Sequence, residues 1–310
     1  MDKLRLAFVF PGQGAQTPGM GQDVYEEYDA AKAVFKAADE RLGFALSDLC
    51  FEGPEDKLKE TAIAQPAIVA TSLAYLAAVR DMEFLPQPEF VAGHSLGEYT
   101  ALAAAGVLEV ADAVQLAALR GRLMHLAAIQ APGSMAAVLG IDDATLNQVA
   151  GDAGVYVANY NCPGQVVISG DRDKMTAASE ALVAKGAKVL PLAVSGAFHT
   201  PLMAPAADGL AKVVERLTFK DASIPIIANT TGEPITAAAD IKAELLKQLT
   251  TSVYWQKSVE YMIGAGINTF IEIGPGKVLS GLIRRINRDV KTINISEAQA
   301  IKNLQATPWN

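Results

Sequence analysis

Ser95 sits in Gly93-His94-Ser95-Leu96-Gly97, a Gly-x-Ser-x-Gly pattern inside the apolar run "VAGHSLGEYTALAAAG". A strand-like segment, "EFVAG", leads into it and a helical one, "LGEYTALAAAG", leaves it. That context calls for a tight strand-to-helix turn, in which the serine is strained and its hydroxyl stands free at the helix N-terminus. Side chains at the flanking positions would strike the neighbouring backbone, which accounts for both glycines. The first N–H groups of the helix then point at whatever is bonded to the serine oxygen. The chemistry implied is nucleophilic catalysis; the bland alternative is a small serine in a structural turn.

A serine hydroxyl attacks only when a base takes its proton, and the chain has three histidines. His94 adjoins the serine, so its ring is expected to point away. His125 shares a polar helical stripe with Asp112, Gln115 and Arg122, at spacings that read as a solvated face. His199, in the loop "SGAFHTP" just after a strand, is where an α/β sheet places its working residues. A hydrolase-like triad would add an acid between serine and histidine. Glu109, Asp112, Asp142, Asp143, Asp152, Asp171, Asp173 and Glu180 are the acids weighed, and none clearly ends a strand of the large sheet. A dyad, its histidine oriented by something else such as a backbone carbonyl, is the simpler expectation.

Arg120 is the other unusual residue. It points about 200° away from Arg122 on its helix and has Leu116, Ala117, Leu123 and Met124 as neighbours. A guanidinium cannot shed its charge, so on an apolar face it needs an anionic partner. That partner is either a distant Asp or Glu or a substrate carboxylate gripped by two nitrogens.

The elements that must position these residues read as follows. "LRLAFVF" is a buried strand closed by "PGQG", and a polar helical stretch runs near Tyr25–Leu42. "AQPAIVATSLAYLAAV" and "ADAVQLAALRGRLMHLAAI" are helices, and their alternation with strands predicts a parallel sheet covered on both faces. Over residues 130–194 the order becomes β-α-β-β-α-β, that of a ferredoxin-like unit. It reads as a small domain inserted into a large one made of residues 1–129 and 195–310. Further strands "IPIIAN", "NTFIEIG" and "KTINI" follow, with helices around Ile241–Leu249 and from Lys277. "GQGAQTPG" lacks the third glycine of a dinucleotide fingerprint, and "GPGKVLSG" lacks Walker spacing; both loops can still line a site.

The chain has 310 residues, 51% apolar and 19% charged, ample for a large core. No uninterrupted apolar run of about eighteen residues occurs, so no membrane span is expected. "MDKLRLAFVF" is unlike a secretory leader, and two cysteines make neither a disulfide framework nor a metal site. A soluble cytoplasmic protein is expected. A net charge of −8 argues against nucleic acid as main partner.

With Ser95, His199 and Arg120 placed, the chain resembles the bacterial malonyl-CoA:acyl-carrier-protein transacylases. The resemblance covers nearly the whole length through "FVFPGQGAQ", "AQPAI", "GHSLGEY", "RGRLM", "NYNCPGQVVISG", "GAFH" and "EIGPGKVL" in family order. It implies an α/β fold with a hydrolase-like large domain, a mainly parallel sheet and a ferredoxin-like insert. It implies a Ser95–His199 dyad, Arg120 on the malonyl carboxylate, and backbone N–H groups of Gln13 and Leu96 as the oxyanion hole. It also implies the Gln248 backbone carbonyl as the group that orients the histidine, and Phe198 as a malonyl-selective residue. Thr250 and Thr251 stand where an aromatic-Asn pair is expected. The implied substrates are malonyl-CoA and an acyl carrier protein, with no metal or redox cofactor, and the chain is expected to be a monomer. Carrier proteins are typically acidic, so docking needs local positive charge; Arg284, Arg285 and Arg288, flanked by Lys277 and Lys291, provide it. Rival readings are a thioester hydrolase, with water as acceptor, and an inactive docking module, which the intact Ser95, His199 and Arg120 disfavour.

Overall fold

The computed structural model describes residues 3–80, 85–194 and 196–305. Ser195, where the sequence reading returns to the large domain, lies outside them. The described strands are β1 (Leu6–Phe10), β2 (Phe90–Gly93), β3 (Gly133–Leu139), β4 (Tyr156–Cys162), β5 (Gln165–Asp171), β6 (Lys188–Pro191), β7 (Ile226–Ile227), β8 (Pro234–Ile235), β9 (Thr269–Ile273) and β10 (Lys291–Ile295).

Six of them form one sheet in the order β10-β9-β1-β2-β7-β8. It is parallel from β10 to β7, and β8 closes it antiparallel. The first strand is central and buried at every position. Its side chains alternate between two cores: Leu6, Phe8 and Phe10 pack on one face, Ala7 and Val9 on the other. This is why "LAFVF" is apolar without interruption. The chain leaves β1 toward β2 on one side and reaches β9 on the other, so a topological switch point lies at the carboxyl ends of these strands. Pro11–Ala15 and His94–Ser95 emerge there.

The other four strands form an antiparallel sheet in the order β4-β5-β3-β6, with helices Asp143–Ala153 and Arg172–Ala184 between its strands. Ala136 and Val138 of β3 pack against these helices. Met135 and Ala137, on the alternate face, turn toward the main core. β4 is also bonded to the segment after helix Ala238–Gln248: Tyr160 N–H donates to the Val253 carbonyl at 2.9 Å, and Val253 N–H to the Ala158 carbonyl at 2.8 Å. The two sheets are thus joined beside Gln248.

Several elements differ from the sequence reading. The stretch near Tyr25–Leu42 is two helices, Gln22–Glu27 and Asp29–Leu42, parted by the extended backbone of Tyr28. "IPIIAN" gives only two strand residues, because Ala228 N–H turns back to the Glu233 carbonyl. "AKVLPLAV" is an edge strand of four residues. Helices Leu46–Glu52, Glu55–Lys59, Trp255–Gly264 and Ala298–Gln305 are additions. Helix Thr61–Arg80 is long and apolar enough to cross a bilayer, but 83% of that window is buried within the protein. It packs against helix Val110–Gln130. A Cβ at Gly121 would lie 2.5 Å from the Thr61 carbonyl oxygen, so glycine there sets how close the two helices come. That approach brings Gln65 of one to Arg120 of the other.

Candidate active site

Ser95 and His199 have φ of 51° and 59°, the only non-glycine residues with positive φ among those described. Such a backbone is costly for residues with a Cβ and persists only where the surroundings enforce it. The glycines explain how the turn at Ser95 closes. A Cβ at Gly93 would fall 1.8 Å from the Gly97 carbonyl carbon, and one at Gly97 would fall 2.2 Å from the Phe10 carbonyl oxygen. No side chain fits at either position. The turn is locked further by Asn229, whose Oδ1 accepts from Ser95 N–H at 2.6 Å and whose Nδ2 donates to the Gly93 carbonyl at 2.7 Å.

Ser95 Oγ lies 2.8 Å from His199 Nε2, and His199 Nδ1 lies 2.9 Å from the Gln248 carbonyl oxygen. A carbonyl only accepts, so Nδ1 carries the proton and Nε2 is left bare to take the serine's. Burial drives the His199 pKa down to about 3, and the Arg120 charge adds to this; the bond to Gln248 opposes it. The imidazole is therefore neutral at neutral pH. The loop carrying it is braced by Thr200, whose Oγ1 donates to the Ala197 carbonyl at 2.7 Å and caps the turn Pro201–Met203. None of the eight acids weighed in the sequence reading bonds to His199. Thr250 and Thr251 both donate through their hydroxyls to the Lys247 carbonyl. They finish the helix that ends at Gln248.

Arg120 is only 1% exposed, yet no carboxylate lies within ion-pair reach of it among the described residues. Its Nη1 donates to Gln65 Oε1 at 2.9 Å. Its Nη2 donates to Gln248 Oε1 at 2.9 Å and to Ser95 Oγ at 3.1 Å. The Tyr99 ring lies 5.4 Å from the guanidinium carbon, and Nε has no partner. The internal acid weighed as an alternative partner is thus replaced by neutral oxygens. The nearest acid in the network is Glu98, absent from the acids weighed above, which reaches Arg120 only through the Gln248 side chain. Burial and Glu244 push the Glu98 carboxyl well above its ordinary range. Both its oxygens nonetheless accept N–H bonds, from Asn229 and from Gln248.

His94 does turn away from Ser95, bonding Asn161 Oδ1 at 2.9 Å against the Trp255 ring. His125 is exposed. The cleft at Ser95 is lined by Gly12, Gln13 and Arg120 from the large sheet's side and by Met135, Ala137, Asn161 and Val167 from the small sheet. Phe198, Leu279 and Leu282 complete much of its apolar wall. Neither Gln13 N–H nor Leu96 N–H makes a hydrogen bond among the described residues. Arg285 Nη1 donates to Gln165 Oε1 at 2.6 Å at the cleft's rim, and Arg284 Nε to the Ser280 carbonyl at 3.1 Å. Arg288 is exposed. Asn229, Glu98 and Gln65 are the members of the site that sequence reasoning missed. No motif marks Asn229, while Gln65 and Glu98 lie within "AQPAI" and "GHSLGEY", stretches that carry the resemblance but whose polar side chains were given no role.

Residues 7–306 match the family model described as an acyl transferase domain. A Bacillus subtilis protein named malonyl CoA-acyl carrier protein transacylase is 46% identical, over 96% of this chain and 95% of its own. A Staphylococcus aureus protein of the same name is 41% identical, over 99% and 98%. The solved acyl-carrier-protein-S-malonyltransferase of Bartonella henselae superposes with a TM-score of 0.94 at 39% identity, covering 98% of this chain and 99% of that one. A malonyl-transacylase solved in complex with a type II PKS acyl-carrier protein also scores 0.94, at 36% identity over 98% and 100%. A strained serine, a neutral histidine beside it and a match across nearly the full length lead to one conclusion: the chain belongs to the acyl transferase family.

Proposed function

We propose that this acyltransferase moves the malonyl group of malonyl-CoA to the phosphopantetheine thiol of an acyl carrier protein, in fatty-acid biosynthesis, through a malonyl ester of Ser95. The observation that carries the acyl specificity is a buried, acid-free guanidinium 3.1 Å from the nucleophile. Arg120 has five N–H donors, and three are engaged in the free protein. Acylation releases the one held by Ser95 Oγ, so three become available to a carboxylate carried by the acyl group. Phe198 is the apolar neighbour proposed to favour that small acid.

The steps follow from the dyad. His199 Nε2 takes the Ser95 proton as Oγ attacks the thioester carbonyl. The N–H groups of Gln13 and Leu96 are the donors proposed for the developing oxyanion. The intermediate expels coenzyme A thiolate, which is protonated by His199. The carrier's thiol then attacks the malonyl ester, giving its proton to His199, which returns one to Ser95 Oγ. Serine, histidine and the two thiols account for every proton and electron pair, so no metal or redox cofactor is proposed. One chain supplies all these groups, which supports action as a monomer, and the cytoplasm is the compartment proposed. We also read the six-stranded unit as a hydrolase-like domain, residues 1–129 and 195–310. The four-stranded unit, residues 130–194, we read as a ferredoxin-like insert, on the strength of its strand order.

Brief exposure to malonyl-CoA without carrier protein will leave a malonyl group on Ser95, seen by intact mass and peptide mapping. Label on Cys162, or free malonate with no labelled protein, would contradict the proposal. Arg120→Ala will lower kcat/KM for malonyl-CoA by about thirty- to several-thousand-fold, the loss of roughly 2–5 kcal/mol expected when one half of a desolvated charge pair is truncated. Acetyl-CoA carries no carboxylate, so its transfer will hold steady or rise. A proportional loss on both thioesters, with a lowered melting temperature, would mean that Arg120 serves the fold.

The low pKa of His199 gives a pH signature. The base stays neutral until the pH falls far below the ordinary imidazole range, so kcat/KM for serine loading will be level between about pH 5 and pH 8. Because the folded value is depressed, the unfolded chain binds the extra proton first. Stability from this group is whole above about pH 6.5 and is lost as pH falls toward the folded value of about 3. An inflection near pH 6.5 in the loading rate would contradict a desolvated base.

The exposed arginines at the cleft rim are proposed to dock the acidic carrier. Reversing Arg284 and Arg285 to Glu will weaken transfer to carrier protein, more so at low salt, and spare loading from malonyl-CoA. Equal losses in both half-reactions, or none, would remove the docking role.

A further inference from the structure

Glu98 is 2% exposed and lies in the first turn of the helix that follows Ser95. It forms no ion pair within the described residues. One carboxylate oxygen accepts from the Asn229 backbone N–H at 2.6 Å, and the other accepts from Gln248 Nε2. The Gln248 carboxamide is wholly buried and is held on three sides. Its Nε2 also donates to the Ser95 carbonyl at 2.9 Å, and its Oε1 accepts from Arg120 Nη2 at 2.9 Å. A carbonyl and a carboxylate bonded in this way only accept, and a guanidinium only donates. The amide therefore has one orientation that satisfies all three neighbours.

We propose that Glu98 is a positioning residue for acyl specificity. By accepting from Gln248 Nε2 it turns Gln248 Oε1 toward Arg120, and so fixes where the guanidinium presents its charge to the acyl group. The proposal rests on the reading of Arg120 as the partner of the malonyl carboxylate.

The chain of donors and acceptors makes Glu98→Gln informative despite its matched shape. The Asn229 N–H belongs to the backbone and cannot turn, so it claims the new side chain's oxygen. The new N–H2 then faces Gln248 Nε2, donor against donor. If Gln248 stays, that clash persists. If it flips, its N–H2 meets the guanidinium and its oxygen meets the Ser95 carbonyl. In the first case the acceptor facing Arg120 is no longer held in place, in the second it is lost, and in both the Gln248 main-chain carbonyl remains beside His199.

The test measures kcat/KM for malonyl-CoA and acetyl-CoA in the wild type, E98Q, Q248L and the double variant, with thermal melting of each and Arg120→Ala as reference. E98Q is expected to lower malonyl transfer about tenfold and acetyl transfer by less than about twofold. With Gln248 already replaced by leucine, E98Q is expected to add less than about twofold, because residues that act through one another are not additive. Equal losses on both thioesters, or an unchanged E98Q factor in the Q248L background, would overturn the proposal. Should E98Q fail to fold, Q248L alone decides: a larger loss for malonyl than for acetyl supports the relay, and equal losses refute it. If Arg120→Ala leaves the malonyl-to-acetyl ratio unchanged, the carboxylate reading has itself failed and the role of Glu98 falls with it. If Arg120→Ala collapses that ratio and E98Q does not, only the role of Glu98 is overturned.

Discussion

A guanidinium that keeps its charge at 1% exposure, with no carboxylate against it among the described residues, is the constraint from which the rest of this site follows. An ion taken out of water without a counter-ion costs several kcal/mol even after the protein relaxes. Here two amide oxygens, a serine hydroxyl and the Tyr99 ring offset part of that cost. None of them cancels the charge. Its field reaches His199, where it joins burial in keeping the imidazole neutral. One buried cation thus serves two ends: it is the group proposed to receive an acid on the acyl group, and its charge helps keep the His199 imidazole unprotonated.

The same constraint explains why the histidine leans on a backbone carbonyl. A carboxylate at that position would bring a negative charge close to Arg120 in a desolvated site, where opposite charges act on one another strongly. The arginine's field would then be partly offset before any substrate arrived. The Gln248 carbonyl fixes the tautomer at 2.9 Å without bringing a charge. The acid that the site does contain, Glu98, is held one amide away, with both its oxygens already taken by N–H groups. Gln248 is therefore both a link and an insulator. It joins the two halves of the site while keeping the Glu98 carboxyl away from the guanidinium.

Much of this was legible in the residues. The glycines around Ser95 could be read because a turn of that sharpness tolerates nothing larger, and the clash distances at Gly93 and Gly97 give the reason. Arg120 could be placed on an apolar face because helical periodicity is a strong local signal. The order of elements between Gly133 and Pro191 was readable for the same reason. What escaped depends on contacts far apart in the chain. Asn229 braces Ser95 across 134 residues, and Gln248 meets Glu98 across 150. Glu98 reads locally as an ordinary helix acid; only the fold shows it sealed beneath the nucleophile. Short helices such as Glu55–Lys59 escaped because five residues carry too little periodicity to register. Tyr28 parts two helices without a proline or glycine to announce it.

The group that holds the His199 ring is a main-chain atom, and this bears on how such a protein can change over generations. A carbonyl survives replacement of the side chain it belongs to, so exchanges at position 248 leave the acceptor for His199 in place as long as the helix end holds its shape. The amide attached to the same residue faces Arg120 and is open to exchange. The two duties sit on one residue but are inherited separately, one by the fold and one by the codon. If the proposed roles of Arg120 and His199 hold, a lineage can explore new acyl groups at this position without first giving up its base.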